Sequence, residues 1–142
     1  MDYTELAAEL LEKMHALQKA RPHKNINEAL HGEMFVLHFI SMQKSEVLPG
    51  DISTEMDVSS ARVASALNSL ENKGLITRRI DKSDRRKILV GLTPEGKDFA
   101  EKHYSFITGK AAELLSLLGE KDAKEYVRIT GKLAKIIHEN IT

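Results

Sequence analysis

Between Ser59 and Glu95 the hydrophobic period of the chain switches from helical to strand-like and back, and this double switch restricts the fold more than any other feature. Val63, Leu67 and Leu70 stand at the spacing of one helical face. Ser59 is a good N-cap for that helix, which the pattern carries to about Lys73. Gly74 follows the last turn, where a left-handed residue is easiest for glycine, and Leu75 can pack back over the helix end. The stretches Leu75–Ile80 and Arg86–Leu92 are then rich in β-formers. Ile76 and Ile80 alternate in the first, and Ile88, Val90 and Leu92 in the second. Asp81-Lys82-Ser83-Asp84-Arg85 between them is a polar turn, so the pair predicts a β-hairpin with a charged tip. Thr93 as cap and Pro94 in the first turn restart a helix.

The flanking segments are helical throughout. Leu6, Leu10, Met14 and Leu17 line one face of a helix from Tyr3 to about Lys19. Arg21-Pro22-His23-Lys24-Asn25 interrupts it, and a second helix is expected from about Asn27 to Lys44, with Leu30, Met34, Leu37 and Ser41 on one stripe and Phe35 and Phe39 broadening it. Pro49 opens a short helix to about Met56, although Leu48 is a poor cap. After Thr93 the long helix carries Phe99, Phe106, Leu114, Leu115 and Leu118, with Gly109 marking either a bend or a close crossing, and Gly119 ends it. A last helix from Lys121 to Ile141 carries Ala123, Tyr126, Val127, Leu133, Ile136 and Ile137. The fold class expected is mainly α with a small β-hairpin.

A chain of 142 residues suits one domain, 1–142, and 42% hydrophobic residues supply a core. Aromatic residues are only 5%, unlike proteins that stack single-stranded bases on aromatic platforms. The absence of cysteine excludes disulfide scaffolds, thiolate metal sites and thiol redox sensing. No apolar run is long enough to span a bilayer, and Met1-Asp2-Tyr3-Thr4-Glu5-Leu6 lacks the basic start and apolar core of a signal segment, so a soluble, cytoplasmic protein is expected.

The net charge of zero conceals a division. From Arg62 to Val90 eight cations (Arg62, Lys73, Arg78, Arg79, Lys82, Arg85, Arg86, Lys87) face three anions (Glu71, Asp81, Asp84), leaving that segment at +5 and the remainder at −5. A localised basic patch is an electrostatic footprint for nucleic acid, although alone it is equally an ordinary solvated surface. Two short helices joined by Asp57-Val58-Ser59, the second capped and polar on its outer face, form a helix-turn-helix. Ser59, Ser60, Arg62, Ser65, Asn68 and Ser69 are the candidate recognition residues for a major groove. Arg62 can take guanine O6 and N7 in a fork, and Asn68 can bond a base edge or phosphate. The serines carry little base preference and serve as well on a solvated face. Arg79, Lys82, Asp84, Arg85, Arg86 and Lys87 are the candidates on the hairpin, whose tip can enter a narrow minor groove, Asp84 holding one guanidinium in place. The plainer reading is a solvated hairpin with a weak salt bridge.

Within Ile52–Phe99, Asp57-Val58-Ser59 and the run Leu70-Glu71-Asn72-Lys73-Gly74-Leu75-Ile76-Thr77-Arg78-Arg79 resemble the MarR (multiple antibiotic resistance regulator) family. Asp81-Lys82-Ser83-Asp84-Arg85-Arg86 and Val90-Gly91-Leu92-Thr93-Pro94-Glu95-Gly96 match its wing and the start of its next helix, and His31-Gly32-Glu33-Met34-Phe35-Val36-Leu37 is similar to its second helix. The resemblance implies a winged helix-turn-helix lobe at about 30–94 and dimerisation helices at about 1–25 and 95–142. It further implies a homodimeric, ligand-responsive repressor that reads a pseudo-palindromic operator in double-stranded DNA through the 59–73 helix and the 75–92 wing. Its recognition-helix positions fall on Ser59, Ser60, Arg62, Ser65 and Asn68, and its wing positions on Asp84, Arg85 and Arg86. Many members carry arginine where this chain has Ser65, which shifts weight onto Arg62. The resemblance also implies a small effector, often aromatic or anionic, binding between the dimerisation helices and the lobes.

The residues agree on self-association, since apolar stripes at both ends of the chain call for burial against a second copy, although they would equally complete a monomeric core. A symmetric dimer implies half-sites about one helical turn apart. An enzyme is not expected, because His15, His23, His31, His38, His103 and His138 are scattered and neither a nucleophile motif nor a glycine-rich phosphate loop occurs. No cofactor and no metal site is expected. A zinc-sensing variant of the same fold would draw on His31, Glu33, Glu101 and His103, but these lack a histidine pair at i, i+4. A winged-helix module used only for protein contacts would not need the basic segment.

Overall fold

The computed structural model describes residues 1–20 and 32–141. Within them the elements follow the order expected: α1 (Thr4–Ala20), α2 (Glu33–Ser41), α3 (Pro49–Met56), α4 (Ser60–Asn72), β1 (Ile76–Ile80), β2 (Ile88–Leu92), α5 (Pro94–Ser116) and α6 (Glu120–Ile141). The expected break at Arg21–Asn25, the start of the second helix near Asn27, and Leu30 and His31 on it lie outside the described residues. The chain divides into two compact units, Met1–Ile107 and Thr108–Thr142.

The core of the first unit is built around α4. Val63, Leu67 and Leu70 are buried on one face of α4, and Val36, Leu37 and Ile40 of α2, Ile52 of α3, Ile76 of β1, Val90 of β2 and Ala100 of α5 close around them. The buried side of α2 differs from the stripe expected of it. Leu37 is on it, but Val36 and Ile40 replace Met34 and Ser41, because α2 packs against both α4 and β2 and presents more than one face to the core. A helix covered on several sides has no clean amphipathic stripe to read.

Each junction has a local cause. Leu48 has no polar side chain to cap α3, and Asp51 does the work from inside the helix by accepting the Leu48 N–H at 3.0 Å. Asp57 closes α3 in the left-handed region at φ 53°, a conformation that aspartate tolerates better than most residues. Ser53 Oγ donates to the Val58 carbonyl at 2.6 Å and ties down the same turn. Ser59 caps α4, its Oγ accepting the Arg62 N–H at 3.2 Å. Gly74 ends it at φ 75°.

β1 and β2 pair antiparallel, Ile76 opposite Leu92, Arg78 opposite Val90 and Ile80 opposite Ile88. Only the inner end of this ladder reaches the core: Ile76 and Val90 are buried, whereas Ile80 and Ile88 are 62% and 44% exposed. Val47, in the α2–α3 connection, adds a single bridge on the other edge of β2, exchanging N–H···O bonds of 2.9 and 2.8 Å with Val90.

At the start of α5, Thr93 Oγ1 accepts the Gly96 N–H at 2.9 Å and donates to the Gly74 carbonyl at 2.7 Å. A Cβ on Gly96 would lie 1.9 Å from the Leu75 carbonyl oxygen, which explains why glycine follows the Leu-Thr-Pro-Glu run. At Gly109 α5 remains helical, and nothing lies within 4 Å of a Cβ built there.

Gly96→Ala is expected to lower the unfolding free energy by about 1–3 kcal/mol, since backbone must move to admit the methyl group. Gly50→Ala, where a Cβ meets nothing within 4 Å, is expected to be neutral or slightly stabilising. Denaturant melts of both variants check the contrast.

Candidate nucleic-acid interface

α3, the Asp57–Ser59 turn and α4 form the helix-turn-helix, and β1 and β2 extend from the end of α4 as the wing. On α4, Ser59, Ser60, Arg62, Ser65 and Asn68 are exposed. Ser69 is half-buried and is drawn the other way: with Lys73 it hydrogen-bonds Glu33 of α2, the Lys73 Nζ lying 2.7 Å from Glu33 Oε2. Those bonds, Lys73 first and Ser69 second, hold the Glu33 carboxyl below its ordinary value of 4.5. Ser69 therefore braces α4 against α2.

The wing tip is folded by its own aspartates. Asp81 Oδ1 accepts the Ser83 N–H at 3.0 Å and its hydroxyl at 2.9 Å, and these bonds keep its carboxyl ionised below the usual range. Asp84 Oδ1 accepts the Arg86 Nε at 3.2 Å and its backbone N–H at 3.1 Å, so the guanidinium and then the amide lower the Asp84 carboxyl likewise. The tip closes with N–H···O bonds of 3.0 Å from Lys87 to Asp84 and from Asp81 to Lys87. The Arg86 side chain stays 91% exposed, so its aspartate orients it without withdrawing it. Lys82, Arg85 and Lys87 are exposed as well.

Ion pairing divides the basic segment. Lys73 is held by Glu33, Arg78 by Glu71, Arg79 by Glu46 and Arg86 by Asp84. Arg62, Lys82 and Arg85 form no ion pair among the described residues. Arg79, on β1 opposite Leu89, reaches Glu46 Oε1 through its Nη2 and Nε at 2.6 and 3.0 Å, and this two-point grip raises its own proton affinity. Glu46 lies over Gly91, whose hypothetical Cβ would stand 3.2 Å from Glu46 Cγ.

Arg78, absent from the expected site, is central to its geometry. It bonds Asn68 on α4 at 2.7 Å and Glu71 at 2.9 and 3.3 Å. The Arg78 hydrogen bond lowers the Glu71 carboxyl. The available signal was strand alternation, which puts Arg78 on the side of Ile76 and so toward α4, where Glu71 is the acid in the last turns.

A concavity of 160 Å³ lies between α2 and the first half of α5, lined by Met34, Phe35, His38, His103, Tyr104 and Ile107 among others. The His38 and Tyr104 rings stack there at 4.8 Å with 3° between planes, and His103 stacks on Phe99. Among the described residues no three His, Asp or Glu side chains group as metal ligands. Of the four residues a zinc sensor would use, His31 lies outside the description and Glu33 is committed to Lys73.

The sequence profile of the MarR family matches residues 31–87. An uncharacterized HTH-type transcriptional regulator of Bacillus subtilis, YwhA, is 30% identical to this chain, the match covering 95% of this chain and 100% of that protein. The chain belongs to the MarR family. A second Bacillus subtilis protein, the HTH-type transcriptional repressor MdtR, is 34% identical over 72% of this chain and 66% of its own length. The crystal structure of Streptococcus pneumoniae FabT in complex with DNA superposes with a TM-score of 0.69 over 97% of this chain and 99% of that one, at 22% identity. At that identity the likeness speaks for the fold, a mainly helical MarR winged helix with a two-stranded wing.

The Glu33–Lys73 pair yields a pH test. Because the folded carboxyl sits below 4.5, its contribution is complete above that value and is lost as pH falls through the lowered one. Glu33→Gln is expected to cost less than about 1 kcal/mol at neutral pH, and the gap from wild type should close in acid. Denaturant melts at a series of pH values measure it.

Proposed function

We propose that this MarR-family regulator is a homodimeric, ligand-responsive repressor that occupies a pseudo-palindromic site in double-stranded DNA and excludes polymerase. α4 enters the major groove, and the wing tip reaches the adjacent minor groove. The observation that carries this reading is the set of exposed cations with no acidic partner among the described residues, Arg62 on α4 and Lys82 and Arg85 at the wing tip. Cations satisfied within the fold stabilise structure, whereas unsatisfied ones on one winged lobe can neutralise phosphates and release counterions. In this reading Arg62 reads a base edge, Ser59, Ser60, Ser65 and Asn68 make closer or supporting contacts, and Asp84 aims Arg86. Ser69 and Arg79 act one step back, Ser69 bracing α4 and Arg79 tying β1 to Glu46. The DNA-bound FabT structure and the repressor MdtR support both the ligand and the sign of regulation.

Self-association is supported by what the single chain leaves uncovered. No residue of α1 or α6 is buried. Leu6, Leu10, Met14 and Leu17 on α1, and Tyr126, Ile129, Leu133 and Ile136 on α6, are exposed at helical spacing. The division proposed is a DNA-binding lobe at about 30–94, which holds nearly the whole core, with 1–25 and 95–142 forming the dimer. The concavity beside His38 and Tyr104 suits a small aromatic effector, which would shift DNA affinity only by the difference in its affinity for the two states. No helix among the described residues is long and apolar enough to cross a membrane, and the reading places the protein in the cytoplasm with its DNA.

Fluorescence anisotropy on duplexes selected from random DNA tests the interface. Arg86→Glu is expected to abolish binding at moderate salt. Arg62→Ala should reduce discrimination between cognate and altered sites by about 1–3 kcal/mol; unchanged affinity in both variants would remove the DNA reading. For assembly, Leu133→Asp is expected to sediment as a monomer at concentrations where wild type is a dimer, and a monomeric wild type would reject the dimer.

A further inference from the structure

Asn68 is not free to present either end of its amide. Arg78 Nη2 donates to Asn68 Oδ1 across 2.7 Å, and the same guanidinium is gripped by Glu71 through Nη2–Oε1 at 2.9 Å and Nε–Oε2 at 3.3 Å. A guanidinium carries donors only, so the amide atom facing it must be the oxygen, and Nδ2 with its two N–H groups is turned to the other side. Arg78 is itself held firmly: it stands in register opposite Val90, its side chain is 26% exposed, and Glu71 fixes the fork from α4. The amide orientation is thus set by the fold before any DNA arrives.

The two ends of an asparagine amide read different things. Adenine is recognised when Oδ1 accepts from the N6 amino group while Nδ2 donates to N7. Here Oδ1 already serves a cation, and a second donor would have to approach beside that charge. What remains is a pair of N–H donors, which suits atoms that only accept. We propose that Arg78 fixes Asn68 as a donor, so that it addresses acceptor atoms of the duplex (a purine N7, guanine O6, thymine O4, or a phosphate oxygen) and does not select adenine over guanine. Arg78 is then a positioning residue, acting on DNA through Asn68. The inference rests on the DNA-binding reading above and deepens it.

The test compares wild type, Asn68→Ala, Arg78→Met and the double variant on a selected duplex in which every half-site position is changed in turn to each base. Wild-type binding to that duplex checks the underlying reading, and its absence would overturn both. Given binding, Asn68→Ala is expected to weaken it without erasing a preference for adenine anywhere. A loss confined to guanine, to thymine or to both purines alike at one position assigns a base edge, and an equal loss on every duplex with a shallower salt dependence assigns a phosphate. In the base-edge case, Arg78→Met frees Oδ1 and should raise the relative affinity for adenine at that position roughly tenfold, a gain that disappears in the double variant. Glu71→Gln, which loosens Arg78 while keeping its charge, should move the preference the same way by less, and guards against a folding defect in Arg78→Met. An adenine preference in wild type that depends on Asn68, an Asn68→Ala protein with unchanged binding, or a base-edge contact indifferent to Arg78 would each overturn the proposal.

Discussion

The first unit depends on one joint where three elements meet through backbone atoms. α4 ends at Gly74, β1 leaves from Leu75, and α5 begins at Thr93 by returning to the same two residues: its hydroxyl bonds the Gly74 carbonyl, its N–H bonds the Leu75 carbonyl at 3.1 Å, and Gly96 rests on that carbonyl. The wing is the excursion between departure and return. Since both of its ends are fixed at one point, the orientation of the hairpin relative to α4 is set by backbone geometry, which side-chain rearrangement cannot easily alter. Arg78 and Glu71 then stiffen the angle by spanning from β1 to α4.

That joint was legible in the sequence because every part of it obeys a local rule. The serine cap, the glycine after the helix, the alternating strands and the Thr-Pro restart each occupy a few adjacent residues, so element order could be read directly. Val47 was not legible, because a single bridging residue has no period. The buried side of α2 was not legible for the opposite reason, its apolar residues being too many to define one stripe. Among the site residues, exposure on α4 and at the wing tip followed from pattern; that Asp84 could hold a guanidinium was legible too, but not that it is the one of Arg86. The bonds that commit Ser69 to Glu33 and Arg79 to Glu46 join residues far apart in the chain, and no local rule announces them.

These pairings change how the charge of the segment should be understood. Counted along the chain it is a block of positive charge, but half of its eight cations are already matched by acids, two of them (Glu33 and Glu46) brought in from outside the block. Formal charge therefore overstates the field and understates its organisation. Of the other four, Lys87 stands near Asp81 and Asp84 without an ion pair, and three stay unmatched among the described residues, Arg62 on the helix and Lys82 and Arg85 at the tip. Exposed pairs contribute little each to stability; their larger effect is to fix where neighbouring groups point.

Val47 has a consequence of a different kind. A two-stranded ribbon normally offers two rows of unused amides and carbonyls, to which a stray extended chain can add. By occupying Val90 from the far side, Val47 denies that template at the middle of β2. The outer border of β1, which carries Arg78 and Arg79, has no such bridge among the described residues. One residue of irregular backbone thus protects an exposed hairpin from acquiring an unwanted third strand.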